Sequence, residues 1–464
     1  MSRSARVRRG LPVVAVLLSA WVLSAGDTGR SPVPAGRLIA AEPLSLGPAE
    51  GDTCLWEPPS RHPITARPGR AFASTQATRV VTEGGSTVDF STRPPVRQIR
   101  DAYSTYSSIA VDPTNNEVVM TDENNFGILV YDRLTNTPPQ AKLSEPKRII
   151  GGLKTQVEFN CGLYIDPKNG DIYSVNNDTV HTLTIFSRDA RGDVPPTRKI
   201  QTPVGKTFGI AVDDVHQELL LSLQFDSAVI TFDKMAKDDD APIRLLQGDR
   251  TRLGDPHGMA LDSVHDLLFV ANYGGTHSVM PANTPGRELH SGEARGKKNW
   301  PVGFPFAIPG SGRNDPPSIT VYRRTASGDT PPIRAIQGPK TRLNWPTGLA
   351  YDPRTDELFV ANDMSNNVVV FPGTANGDVA PIRVLQGPQT KLSNPTSVFV
   401  DVTNDELWVS NMGNHSGTVY KSNASGDTPP LRVIRSAPEG MPSPGVGNAR
   451  VAFDTKRDEL LVPN

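Results

Sequence analysis

The sequence predicts an all-β protein, a seven-bladed β-propeller with four-stranded blades, and two observations carry this prediction. A unit that contains several short β-rich runs recurs seven times along the 464 residues, at a period of about 50 residues. The chain also contains 43 Pro and 40 Gly but only 6% aromatic residues, as is typical of many short strands joined by tight turns. Such repetition indicates a radial array in which each unit forms one blade.

Two residues mark each unit: an Asp that closes its first strand, and the Arg of a Pro-x-Arg tripeptide upstream of that Asp. The spacings between successive aspartates are 54, 47, 49, 90, 49 and 53 residues, so the fourth blade carries an insertion, residues 273–317. Seven arginines in equivalent places indicate a structural role. The aspartates are Asp112, Asp166, Asp213, Asp262, Asp352, Asp401 and Asp454, and the arginines are Arg97, Arg148, Arg198, Arg244, Arg334, Arg383 and Arg432.

The fifth unit shows the predicted strands most clearly: A at 348–351, B at 357–361, C at 367–371 and D at 382–385. Strand B has four successive apolar residues, 358–361, which is typical of a strand covered on both faces by neighbouring blades. Asp352 and Pro353 begin the turn between strands A and B, where an Asp side chain commonly bonds local backbone N–H groups.

The two ends of the chain predict how the ring closes. The seventh unit supplies only strands A and B, at 451–454 and 460–462, and strands C and D are found near the N-terminus, at 87–90 and 95–99. We therefore expect a last blade that combines two N-terminal with two C-terminal strands, because this arrangement removes an open sheet edge.

The N-terminus predicts export. Four arginines within the first nine residues precede a mostly apolar run, 11–25, so residues 1–25 are interpreted as a signal peptide of a secreted or periplasmic protein. An uncleaved membrane anchor is the alternative, but the run is shorter than the ~20 residues that span a bilayer. Residues 26–70 are interpreted as a Pro/Gly/Ala-rich linker or arm, and residues 71–464 as the propeller.

The charge balance and the two cysteines add two further expectations. With 48 Lys+Arg against 49 Asp+Glu, the chain has no basic field that would attract nucleic acid. Cys54 lies in the arm and Cys161 in the second unit, and two cysteines in an exported protein predict a disulfide. A Cys54–Cys161 disulfide would hold the arm over the channel entrance.

The motifs of the fifth unit also resemble a known class of repeat. The run Pro-Thr-Gly-Leu-Ala-Tyr-Asp-Pro, followed by Glu-Leu-Phe-Val-Ala-Asn and Asn-Asn-Val-Val-Val-Phe, resembles NHL and YVTN-type β-propeller repeats of exported bacterial proteins. Such propellers include protein-interaction scaffolds, lactonases and lyases, so the resemblance implies a fold and leaves the activity open. The third unit departs from the motif, with Leu223 in the Asn/Asp place.

In propellers of this kind, the D-to-A and B-to-C connections surround the mouth of the central channel; we call this side the mouth face. Ten residues after each strand-A Asp come six polar residues and Leu223. Asn176, Asn272, Asn362 and Asn411, with Trp300 of the insertion, are the predicted ligand-binding residues. Alternatively, each polar side chain bonds only its own turn. The set is Asp122, Asn176, Leu223, Asn272, Asn362, Asn411 and Asn464.

Two functional hypotheses follow. The first is an exported, non-enzymatic binding or scaffold module that recognises a protein, peptide or polymer through its mouth face and its insertion. The insertion is expected to pack Trp300, Phe304 and Phe306 on that face as a flap. The second is a metal-dependent lyase or hydrolase with His257 and Asp122 as catalytic residues, which with His277 would hold a divalent cation as cofactor. The first hypothesis is preferred because the chain lacks a serine-hydrolase elbow, a zinc-protease motif and a phosphate-binding loop.

Overall fold

The computed structural model describes residues 101–443, except 178–179, 181, 203–206, 225 and 278–312, together with four short strands nearer the termini. The chain divides into two compact units, Met1–Pro94 and Pro95–Asn464. In the first unit the described residues form a two-stranded antiparallel sheet of Val80–Val81 and Thr87–Val88. The predicted signal peptide and arm lie outside the described residues.

Six four-stranded antiparallel sheets make the second unit a β-propeller of six blades, each with strands in the order A-B-C-D. Their bounds are Tyr106–Asp112, Glu117–Asp122, Gly127–Asp132 and Arg148–Gly151 in blade 1; Asn160–Ile165, Ile172–Asn176, Thr182–Phe186 and Arg198–Gln201 in blade 2; Thr207–Asp213, Glu218–Leu223, Ala228–Asp233 and Arg244–Gln247 in blade 3; Pro256–Asp262, Leu267–Asn272, Ser318–Arg323 and Arg334–Gln337 in blade 4; Pro346–Asp352, Glu357–Asn362, Asn367–Pro372 and Arg383–Leu385 in blade 5; and Pro395–Asp401, Glu406–Asn411, Ser416–Lys421 and Arg432–Arg435 in blade 6.

The four strands predicted for the fifth unit are confirmed to within two residues at each end. Leu358, Phe359 and Val360 of strand B are fully buried, as expected for a strand covered on both faces. Short 3-10 turns occupy several D-to-A connections and two B-to-C connections, and none of the helices in the described part of the chain is long and apolar enough to cross a membrane. These turns are Leu153–Thr155, Asp249–Thr251, Pro339–Thr341, Asp363–Ser365, Pro388–Thr390 and Met412–Asn414.

The hydrophobic core lies between successive blades. One cluster, for example, packs Phe269 and Val321 of blade 4 against Leu358 and Phe371 of blade 5. At the channel, strands A approach so closely that a Cβ on Gly348 would lie 2.6 Å from the Cα of Ser397 in the next blade. A glycine here lets neighbouring blades meet around the axis.

The predicted seventh blade and its mixed closure are wrong, because blade 6 packs directly on blade 1. Trp408 and Ile434 of blade 6 share a buried cluster with Tyr106 and Met120 of blade 1. The backbone N–H of Thr137 in blade 1 donates to the Val433 carbonyl at 2.7 Å. The surface that a seventh blade would cover is therefore already occupied by blade 1.

The strands assigned to that seventh blade pair locally. Thr87–Val88 pairs with Val80–Val81, and Ala452–Asp454 pairs with Glu459–Leu461 as a separate hairpin. The predicted strand at 95–99 lies outside the described residues. A two-residue strand at 87–88 leaves too few backbone groups for a full ladder.

The repeated arginines have the structural role that their spacing predicts. In four blades the guanidinium pairs with the Glu that begins strand B, as in the two bonds of 2.9 and 2.8 Å from Arg148 to Glu117. Where strand B has no such Glu, the arginine bonds backbone carbonyls of the next blade, such as Arg334 to Gly373 at 2.7 Å. We call these contacts the arginine clasps; the arginines are Arg148, Arg198, Arg244, Arg334, Arg383 and Arg432.

The predicted disulfide is not formed in the part of the chain that the structure describes. Cys161 is buried at the start of strand A of blade 2, and its thiol donates to Glu123 Oε1 at 3.3 Å. Cys54 lies outside the described residues. The Cys161 thiol is therefore buried and hydrogen-bonded, where the prediction expected a cross-link.

Candidate functional site at the channel mouth

The strands A of the six blades surround a central channel of about 470 Å³. Each strand A begins where strand B of the same blade ends, since Pro256 pairs with Asn272 and Pro346 with Asn362. The start of strand A and the end of strand B therefore meet at one end of the channel. The second residues of strands A in blades 3 to 6 lie there, and they are Phe208, His257, Thr347 and Thr396.

The polar residues at the end of strand B bond the D-to-A connection of their own blade. Asn362 accepts from the Asn344 N–H at 2.6 Å and donates to the Arg342 carbonyl at 2.8 Å. Asn176, Asn272 and Asn411 accept in the same way, from Glu158, Gly254 and Ser393. These four asparagines are fully buried, so the geometry shows the bonding that the alternative interpretation expected. Their role in ligand binding stays a prediction.

Asp122 occupies the equivalent place in blade 1. Its Oδ1 accepts from the backbone N–H of Thr105, Asn124 and Asn125, and burial raises the pKa of its carboxyl although these bonds act against the shift. In blade 3 the place is held by the buried Leu223, which has no polar side-chain atoms to offer. In blades 1, 2, 4, 5 and 6 the residue that ends strand B is thus bonded to the D-to-A connection that leads into its blade.

The residues one position further along form a second set, which the sequence reasoning missed, and five of them bond the next blade. Because side chains alternate along a strand, the residue after the buried Asn points away from its own D-to-A connection. Gln224 bonds His257 of the next blade at 2.8 Å, and Tyr273 bonds Thr347 at 3.1 Å. We call this set the mouth ring: Glu123, Asn177, Gln224, Tyr273, Asp363 and Met412.

His257, which bonds Gln224 of the mouth ring, is a neutral side chain. Its Nε2 faces the donor Nε2 of Gln224, and its Nδ1 lies 2.9 Å from the Asp255 carbonyl. These partners assign the proton to Nδ1, which donates to the carbonyl, while Nε2 accepts. Burial lowers the pKa of His257 to about 3. At neutral pH the imidazole therefore carries no charge.

A row of four rings crosses blades 3 to 5 at the mouth, with Phe208 tilted at 55° on His257 and the other rings stacked. The ring centroids of Phe208 and His257 are 4.2 Å apart, those of His257 and Tyr273 are 3.4 Å apart at 13°, and those of Tyr273 and Trp345 are 4.9 Å apart at 27°. The first three rings are largely covered, whereas Trp345 is 42% exposed. We call these four residues the aromatic row, and its accessible end is the indole of Trp345.

Trp345 stands at a strained backbone position. Its φ is 56°, and the residues at the same place in blades 4 and 6, Asp255 and Asn394, have φ of 50° and 43°. Asp and Asn are the side chains that best tolerate this left-handed conformation, whereas a Trp there costs on the order of 1 kcal/mol. The sequence does carry this signal, since Trp345-Pro346 replaces the Asp-Pro and Asn-Pro of the neighbouring units.

Two carboxylates flank the aromatic row. Asp255 has a buried Oδ1 without a hydrogen-bond partner, 3.6 Å from the neutral Nδ1 of His257, and burial raises the pKa of its carboxyl to about 6. Asp363 accepts from Asn394 Nδ2 at 2.8 Å, and burial raises the pKa of this carboxyl too. Both carboxylates lie close enough to raise the pKa of Tyr273, after the larger effect of its burial.

The alternative metal site is not assembled among the described residues, which contain no group of three or more His, Cys, Asp or Glu placed to hold an ion. Asp122 in blade 1 and His257 in blade 4 share no contact partner. The side chains of His277 and Trp300 lie outside the described residues. The catalytic and metal-ligand assignments to His257, Asp122 and His277 therefore stay predictions.

No protein-family model matches the chain, and no curated protein matches it. Among solved structures the chain is similar to the hydrazine synthase of Kuenenia stuttgartiensis, with 11% sequence identity and a TM-score of 0.44. That similarity covers 71% of this chain and 99% of the other. At this identity it says nothing about activity, and the NHL or YVTN repeat type stays a resemblance.

Proposed function

We propose that this protein is an exported, non-enzymatic binding module that holds a protein, peptide or polymer ligand at its mouth face. The observation that carries the proposal is the aromatic row, which ends in a half-exposed indole on strained backbone. A large aromatic side chain that is rigid on one side and accessible on the other is a common anchor for ligands. The left-handed φ of Trp345 recurs at Phe159, Asp255 and Asn394 in blades 2, 4 and 6, so it belongs to the repeat, and the proposal rests on the exposed indole of the aromatic row.

The chemistry of the mouth favours binding over catalysis. His257, the catalytic candidate, has both ring nitrogens engaged and a pKa of about 3, far from the value near 7 that suits a general base at neutral pH. Asp122 is held by three backbone N–H groups of its own connections. Both side chains support the mouth and leave the aromatic row as its accessible feature.

Arrays of immobilised peptides, proteins and polysaccharides, probed with the full chain, test the proposal. We expect Trp345→Asn to lose ligands that the wild type retains, while its backbone keeps the conformation that Asn394 adopts in blade 6. The matched control is Val402→Ser, a side chain that is also 42% exposed but lies just after strand A of blade 6, away from the mouth.

Identical capture by wild type and Trp345→Asn would overturn the proposal. So would stoichiometric metal in protein purified from its native compartment that is lost in His257→Ala, because that result would support the metal-dependent lyase or hydrolase.

A further inference from the structure

We infer that the ligand presents a cationic organic group, an alkylammonium or a guanidinium, to the mouth between blades 4 and 5. There the accessible indole of Trp345 stacks on Tyr273, and the backbone of Tyr273 bonds that of Asp255 while the backbone of Trp345 bonds that of Asp363. This inference rests on the proposed function and adds to it the chemical class of the ligand.

The aromatic row supplies an electron-rich surface without positive charge of its own. Trp is the side chain whose ring attracts cations most strongly, and Tyr273 stacks against Trp345 on the buried side. His257, the third ring, is neutral because its Nε2 accepts from Gln224. A protonated imidazole in the same stack would repel a cation, so its neutral state keeps the row attractive to one.

The two carboxylates supply negative charge that the described residues do not neutralise. Neither Asp255 nor Asp363 pairs with a lysine or arginine in the described part of the chain, and the nearest ring nitrogen to Asp255 is uncharged. On the opposite face of the propeller, the buried carboxylates of Glu117 and Glu218 each meet an arginine. A carboxylate half removed from water is costly unless a cation joins it, and a cationic ligand provides that partner.

The same features disfavour other ligand classes. An anionic group would meet two carboxylates, and like charges brought together in a partly buried site repel. A neutral sugar could stack on Trp345, but it would leave both carboxylates without a countercharge. The combination of an indole with uncompensated carboxylates is the arrangement that binds guanidinium and ammonium groups.

Calorimetric titration of the full chain at neutral pH tests the inference with paired probes. The first pair is Nα-acetylarginine amide and its neutral counterpart Nα-acetylcitrulline amide. The second is choline and 3,3-dimethylbutanol, in which carbon replaces the ammonium nitrogen. Tighter binding in the first pair indicates a peptide side chain as the source of the cation, and tighter binding in the second indicates a small quaternary amine.

We expect at least one cationic probe to bind about tenfold more tightly than its neutral counterpart. Trp345→Asn and Asp363→Asn should each weaken that binding by about tenfold, since each removes one of the two attractions. Val402→Ser should leave it unchanged. A melting curve of each variant shows whether the fold is kept.

Equal binding of a cation and its neutral counterpart would overturn the inference, as would no binding of either cation up to about 50 mM. If the arrays nevertheless show a neutral ligand that depends on Trp345, the proposed function stands and only the charge assignment fails. If the arrays show no such ligand and the cations do not bind, both fail.

Discussion

Carboxylates on the two faces of the propeller differ in whether they have a cationic partner. On the face where strand B begins, Glu117, Glu218, Glu357 and Glu406 each accept from an arginine clasp. On the mouth face Asp255 and Asp363 meet no lysine or arginine among the described residues. The first arrangement repeats in four blades, whereas the second flanks the aromatic row and has a counterpart in blade 1, where the buried Asp122 accepts only from backbone N–H groups among the bonds described. The difference indicates that the clasps stabilise the ring, while the mouth retains uncompensated groups that lower stability.

We expect the largest effect from removing an arginine clasp where the ring closes, between blades 6 and 1. Glu406 of blade 6 accepts from Arg432 at 2.8 Å and from Arg133 of blade 1 at 2.9 Å. Glu406→Ala removes the carboxylate that joins two largely buried guanidinium groups, although Arg133 keeps its bond to Asn116 Oδ1 at 3.0 Å. We expect the free energy of unfolding to fall by about 3 kcal/mol. Urea unfolding measures this loss.

The matched control is Glu439→Ala, because Glu439 and Lys391 form an ion pair in which both side chains are about half exposed. We expect a change below about 0.5 kcal/mol there. Similar losses in both variants would mean that the clasps are no more important than surface ion pairs.

A second prediction concerns how Asp255 and His257 at the mouth make the free energy of unfolding depend on pH. The pKa of Asp255 is raised from its usual 3.8 to about 6, so between these values the folded state holds a proton that the unfolded state has released. Its contribution to stability therefore grows as pH falls from 6 to 4. The pKa of His257 is lowered from 6.5 to about 3, so between these values the unfolded state holds the extra proton. The contribution of His257 to stability therefore falls as pH falls from 6 to 4.

These two slopes have opposite signs and offset each other between pH 6 and 4. We expect Asp255→Asn to lose stability relative to wild type as pH falls, and His257→Gln to gain it, each by up to about 1.4 kcal/mol per pH unit. Urea unfolding of the three proteins at pH 4, 5 and 6 measures the slopes. Parallel pH profiles would show that neither group has the environment described.

The smallest expected effect tests the strain at Trp345. Trp345→Gly and Trp345→Ala both remove the stack on Tyr273, but only glycine adopts a φ of 56° at no steric cost. The glycine variant should therefore be more stable than the alanine variant by about 1 kcal/mol. The same pair of substitutions at the exposed Val402, whose φ is not positive, serves as the control. Equal stability of the Trp345→Ala and Trp345→Gly variants would show that the backbone at position 345 is not strained.

Much of the fold could be predicted from local sequence. The strands of blade 5, the turn at Asp352 and the arginine clasps each follow from a few neighbouring residues, because alternation, turn chemistry and repetition act over short distances. At the mouth, local sequence did not separate the residues that bond their own connection from those that contact the next blade. Asn362 is turned into its own connection, and the next residue, Asp363, reaches the neighbouring blade.

The sequence by itself determined the repeat and the four strands of each blade, since these depend on contacts within one unit. Only the tertiary structure decided that the ring closes after six blades and that Phe208, His257, Tyr273 and Trp345 form one row. Repetition counts units but does not fix the angle between them. That angle is set by the packing between blades, as where Trp408 meets Tyr106. Phe208 and His257, 49 positions apart, and Tyr273 and Trp345, 72 positions apart, become neighbours only once that packing is complete.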